Sequence, residues 1–137
     1  MRVGLLIITH GDIGQSLLDT AIAVLGTCPL QTRTLSVPMA SDTDTVESEA
    51  RRQIAELDQG DGVLVLTDLY GSTPSNIACR LGRNNSRVAV VAGTNLPMLV
   101  RVLNYPELDL PTLVHKAVSG GQDGVLCCCK ADGEEPR

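Results

Sequence analysis

The chain has 137 residues, a length that fits one compact domain and is short for two ordinary ones. Its 43% apolar content supports a real core and excludes wholesale disorder, and with no Trp or Phe and only Tyr70 and Tyr105 that core must be aliphatic. A net charge of −5 argues against nucleic acid, whose phosphates attract basic surfaces, and no run of Lys or Arg marks a membrane patch.

The opening Met-Arg and the apolar run over residues 3–8 are faintly similar to a secretory leader. The run ends at Thr9-His10-Gly11-Asp12, short of the ~7–15 apolar residues a leader core needs. No stretch approaches the ~20 apolar residues of a membrane span. The expectation is a soluble, cytoplasmic chain.

Residues 3–8 are instead a β-branched apolar run of the kind that forms a strand covered on both faces. Asp12 and Gln15 suggest a capping box, followed by Ile13, Leu17, Ala21, Val24 and Leu25 at helical spacing, with Gly26 as a natural end. Residues 32–37 form a more polar strand suited to an edge, which Pro38 ends. A helix starting over residues 41–44 would bury Val46, Ala50, Ile54 and Leu57. Residues 63–67 are a second strongly apolar strand, with Asp68 at its end. Pro74 suits the first turn of a third helix, with Thr73 as its expected cap. Residues 87–92 form another buried strand, and Gly93-Thr94-Asn95 turns into a short helix over 96–103. Leu110, Leu113, Val114, Ala117 and Val118 make one face of a last helix, residues 125–129 a final strand, and residues 131–137 a frayed tail.

Strands alternating with helices imply an α/β fold, a doubly wound and mostly parallel sheet with helices on both faces. The domain is expected to span residues 1–130. Five cysteines form no C-x-x-C pair. Cys127, Cys128 and Cys129 are consecutive, so in a strand the middle one points away from its neighbours, which is no tetrahedral metal site. With Cys28 and Cys79 they read as small buried hydrophobes, and no metal or cofactor is expected.

In a doubly wound sheet the site lies beyond the carboxyl ends of the strands, where the strand order reverses. The two most apolar strands should be central neighbours there, and their carboxyl ends carry His10 and Asp68. A histidine takes a phosphoryl group on a neutral, outward ring nitrogen, while a carboxylate on the other nitrogen fixes the tautomer. Gly71-Ser72-Thr73-Pro74 runs into a helix start, where free N–H groups and the dipole favour anions. Ser72 and Thr73 add hydroxyls, and Gly11 and Gly71 allow close backbone approach. Taken singly, His10 and Asp68 read as an ordinary strand-end residue and a cap; the joint pattern is what points to chemistry. His115 lies off the apolar face of its helix and reads as solvated, while Asn95 and Pro97 read equally well as crevice lining or helix start.

Three segments carry a family resemblance. Ile7-Ile8-Thr9-His10-Gly11, then Asp68-Leu69-Tyr70-Gly71-Ser72-Thr73-Pro74-Ser75-Asn76, then Ala92-Gly93-Thr94-Asn95-Leu96-Pro97-Met98-Leu99 resemble, in order, motifs of the mannose-family IIA domains of the bacterial phosphotransferase system. The resemblance covers residues 1 to 130 or so. It implies phosphorylation of His10, orientation by Asp68 and a phosphate cradle from Gly71 to Thr73. It further implies HPr as phosphoryl donor, a separate IIB protein as acceptor, and contact with the membrane only through permease components. A homodimer is implied too, with residues 125–129 as an antiparallel edge strand reaching the neighbour. Ser72 departs from the family's usual second glycine, and Tyr70 from its usual larger or apolar aromatic. A regulatory module read through its phosphorylation state, a receiver domain phosphorylated on Asp68, and the phosphocarrier subunit of dihydroxyacetone kinase are the alternatives.

Overall fold

The computed structural model describes residues 2–39 and 42–129. Along the chain these form β1 (Gly4–His10), α1 (Ile13–Leu25), β2 (Thr32–Val37), α2 (Thr43–Leu57), β3 (Val63–Thr67), α3 (Thr73–Gly82), β4 (Val88–Ala92), α4 (Leu96–Leu103) and α5 (Leu110–Asp123). The strands make one parallel sheet in the order β2-β1-β3-β4. The chain leaves β1 toward β2 on one side and returns to β3 on the other. The reversal point therefore falls between β1 and β3, with Ile8 paired to Thr67.

Alternation along the central strands explains the two helical layers. Leu5 and Ile7 of β1 and Leu64 and Leu66 of β3 pack with residues of α1, α4 and α5. Leu6, Ile8, Val63 and Val65 point the other way, onto Ala50 and Leu57 of α2 and Ile77, Ala78 and Leu81 of α3. Burial on both faces is why these strands read as unbroken apolar runs. Among the described residues, no helix is long and apolar enough to cross a membrane.

Several local expectations need correction. On α1 the expected Leu17, Ala21 and Leu25 do pack on the core, but the most buried line is Gly14, Leu18 and Ala21, while Ile13 and Val24 are exposed. A side chain at position 14 would press on Ile7 and Thr9, so the helix is rotated to set glycine against the sheet. Residues 125–129 form no strand; they are irregular and exposed, because a short apolar run needs a ladder partner and finds none among the described residues. All five cysteines are exposed, not buried. The helix expected from residues 41–44 begins at Thr43, with Asp42 accepting from Asp44 N–H at 3.0 Å; Ser41 and the tail over 131–137 lie outside the described residues.

Candidate functional site

His10 closes β1 and Asp68 follows β3 directly, so the register of the two central strands sets them side by side. The ring Nδ1 of His10 lies 2.8 Å from Oδ2 of Asp68, and the His10 backbone N–H donates to the same oxygen at 3.2 Å. Leu69 N–H donates to the other oxygen, Oδ1, at 3.1 Å. Asp68 is mostly buried, its side chain 11% exposed against 35% for His10. A carboxylate held by backbone donors on both oxygens is an acceptor, so the ring must donate from Nδ1. In the neutral ring that assignment leaves the lone pair on Nε2, which has no hydrogen-bond partner among the described residues.

The His10 ring lines a crevice of about 320 Å³ whose other walls are Pro38 and Met39 after β2, Thr43 at the start of α2, and Ser72 to Pro74 at the start of α3. Gly11 and Gly71 both have left-handed backbone, φ +45° and +86°, with nothing within 4 Å of where a Cβ would sit. Conformation, not space, calls for glycine there. The loop donors are unequally available. Gly71 N–H donates to Ser75 Oγ at 3.3 Å, and Ser72 gives both its N–H and its hydroxyl to Leu69 O, at 3.2 and 2.5 Å. Ser72, not Thr73, is the N-cap position of α3, and it makes no side-chain cap bond. Thr73 keeps its N–H and its hydroxyl without partners among the described residues, at a helix start that favours anions.

Thr9 was not singled out in the sequence. It is buried; its hydroxyl accepts from Gly14 N–H at 2.8 Å and donates to His10 O at 3.2 Å, tying the His10 peptide to the start of α1. It takes the role expected of Asp12, which makes no cap bond, while Gln15 bonds Asp19 and Thr34. A bond that jumps five residues across a turn has no sequence signature. Asn95 is structural: Oδ1 accepts from Met98 N–H at 3.0 Å and Nδ2 donates to Gly121 O at 3.1 Å. His115 is exposed on α5 and does not line the His10 crevice. Among the described residues no three His, Cys, Asp or Glu side chains converge as a metal-ligand set.

In the loops and helix starts that follow the strands the surface is apolar and acidic. Met39 is 96% exposed, Tyr70 80%, Leu69 61% and Ile13 48%. The described residues at the carboxyl ends of the strands include Asp12, Asp42 and Asp68 and no Lys or Arg between residues 9 and 12, 37 and 42, 67 and 73, or 92 and 96.

Comparison with known proteins adds a consistent set of likenesses. The family described as PTS system fructose IIA component matches residues 4–118. The PTS system mannose-specific EIIAB component of Escherichia coli (strain K12) is 35% identical over 127 residues, which is 91% of this chain and 39% of that protein. The chain thus spans about two-fifths of the length of that relative. The PTS system fructose-specific EIIA component of Bacillus subtilis (strain 168) is 26% identical, covering 92% of this chain and 86% of the relative. Among solved structures, the PTS IIA protein associated with the fucose utilization operon of Streptococcus pneumoniae is 32% identical with a TM-score of 0.74, covering 87% of this chain and 90% of that one. The mannose/sorbose specific IIA subunit of Enterococcus faecalis is 25% identical with a TM-score of 0.80, covering 91% and 93%.

Proposed function

The chain belongs to the fructose/mannose IIA family of the sugar phosphotransferase system, and from that premise we propose that it is a phosphocarrier that takes a phosphoryl group onto His10 and hands it to a partner protein. The observation that carries the reading is the His10–Asp68 pair, with Nδ1 engaged at 2.8 Å and Nε2 open beside the start of α3.

In the proposed step the Nε2 lone pair attacks the phosphorus of phospho-HPr. A P–N bond forms on His10 while the P–N bond of the donor histidine breaks, its electron pair returning to the donor ring. The Nδ1 proton stays in its bond to Asp68, whose charge balances the positive charge that develops on the ring. Thr73 N–H, the Thr73 hydroxyl and the α3 dipole are the donors proposed to receive the phosphoryl oxygens, with Gly11 and Gly71 supplying the left-handed turns that shape the two loops. Transfer to a IIB protein reverses the same exchange.

The apolar collar of Met39, Leu69, Tyr70 and Ile13 suits two partners that dock in turn over His10. With no Lys or Arg in the surrounding loops, the cation that offsets the phosphoryl charge is expected from the partner. The cytoplasm is the proposed compartment and a homodimer the proposed assembly.

The test is incubation with phosphoenolpyruvate, enzyme I and HPr, followed by mapping of the modified residue. His10→Ala is expected to abolish labelling and His115→Ala to leave it intact. The label should survive alkali, as phosphohistidine does; an alkali- and hydroxylamine-labile label on Asp68 would sink the reading in favour of a receiver domain.

A further inference from the structure

Thr67 and Ser75 are fully buried hydroxyl residues that bracket the loop running from Asp68 to Ser72. Both belong to the same interior layer. Val63 and Val65 pack with Ile77 and Ala78; Thr67 follows at the strand period of two, and Ser75 sits about one turn before Ala78 on the buried face of α3. Their hydrogen bonding is unequal. Thr67 Oγ1 has no partner among the described residues, whereas Ser75 Oγ accepts the Gly71 N–H at 3.3 Å, a long bond. A buried hydroxyl without a partner is costly, so it calls for a reason. Gly71 is exposed and left-handed at φ +86°, with nothing within 4 Å of where a Cβ would sit, and as a glycine it has the widest choice of backbone conformation.

We propose that Thr67 is a positioning residue for the phosphorylated state: when His10 carries the phosphoryl group, Gly71 N–H swings from Ser75 Oγ to a phosphoryl oxygen, and Thr67 Oγ1 becomes the new partner of the Ser75 hydroxyl. The exchange trades a long neutral bond for a charge-assisted one and removes the orphan beneath it. The resting loop is thereby closed on itself and the charged loop is opened, with the two hydroxyls as the latch. The proposal rests on His10 being the phosphoryl acceptor.

Thr67→Val keeps the side-chain shape and deletes the hydroxyl. Unphosphorylated, the variant is expected to melt at or above the wild type, because an orphan is gone. Its equilibrium uptake from phospho-HPr is expected to fall about tenfold, and phosphorylation should raise its Tm less than in the wild type. Thr67→Ser, which retains a hydroxyl, should restore both. The Gly71 amide resonance should move strongly on phosphorylation in the wild type and in Thr67→Ser. Thr67→Val with unchanged uptake, and with both forms shifted equally in Tm, overturns the proposal and leaves Thr67 as packing. If Thr67→Val does not fold, a wild-type Gly71 amide unmoved by phosphorylation overturns it instead. A wild-type chain that takes no label from phospho-HPr overturns the phosphocarrier reading and this proposal with it; a labelled wild type with an indifferent Thr67→Val overturns this one alone.

Discussion

A single oxygen of Asp68, Oδ2, accepts from both the ring Nδ1 and the backbone N–H of His10, at 2.8 and 3.2 Å. The two bonds fix the ring relative to its own main chain, so the orientation of Nε2 does not depend on a freely turning side chain. Asp68→Asn keeps the size of the group and removes its charge, and the amide can present either end to the ring. The expected result is phosphoryl uptake slowed at least about tenfold, with the fold and Tm close to wild type. Stopped-flow or quench-flow transfer from phospho-HPr measures it, and a rate equal to wild type would remove Asp68 from the mechanism.

The two hydroxyls of the loop should differ in effect. Ser72 already donates its hydroxyl to Leu69 O at 2.5 Å, whereas Thr73 has no partner among the described residues and faces the His10 crevice. Thr73→Val is expected to lower equilibrium uptake by about tenfold, the worth of one charge-assisted bond, and Ser72→Ala by clearly less. Equal losses would mean that the Ser72 hydroxyl leaves Leu69 when the phosphoryl group arrives.

The central strands were legible because burial on both faces leaves an unmistakable mark: β3 is found at Val63–Thr67, as its apolar run predicts. With those strands adjacent, the meeting of His10 and Asp68 follows from two strand ends, without knowledge of any side-chain packing. Failures cluster where the outcome hangs on a partner or a turn. In α1 the helical spacing of Ile13, Leu17, Ala21, Val24 and Leu25 finds the core-facing side at Leu17, Ala21 and Leu25, but the seating of Gly14 close to Ile7 and Thr9 brings Leu18 inward and leaves Ile13 and Val24 exposed. The cysteine run looks like a strand by composition, yet residues 125–129 pair with no strand among the described residues. Whether a loop hydroxyl is free or spent, as with Thr73 and Ser72, is decided by turn geometry that composition does not encode.

At the opposite end of the sheet, stability should be separable from chemistry. Asp58 accepts from Arg87 Nε and Nη2, each at 2.7 Å, and from the N–H groups of Gly60 and Gly62 at 2.9 and 3.1 Å. Chiefly the Arg87 guanidinium, and after it these backbone donors, hold the Asp58 carboxyl well below the usual carboxylate range against the opposing effect of burial. A carboxyl depressed in the folded state contributes stability that is complete above its unfolded pKa and is lost as pH falls through the folded value. Asp58→Asn is therefore expected to cost about 1–2 kcal/mol at neutral pH and to flatten the fall in stability below about pH 4. Urea titrations at several pH values measure both. Labelling of His10 should be unaffected.

Assembly is the remaining open face of the molecule. β4 pairs with β3 on one side only, so among the described residues its other edge presents unpaired backbone groups. Beside that edge, Val125 is 76% exposed, Leu126 48% and Val118 40%, and Gly124 turns tightly against Pro97, where any side chain would collide. An apolar segment next to an open edge is a place where a second copy can add a strand and close a two-fold pair. The full chain is therefore expected to be a dimer at micromolar concentration. Deletion from Gly124 onward should give a monomer of lower Tm that still takes label on His10, since His10, Asp68 and Thr73 all come from one chain. Light scattering on the two proteins decides the matter. A monomeric 137-residue chain would rule out the exchanged strand and leave β4 as an ordinary exposed edge.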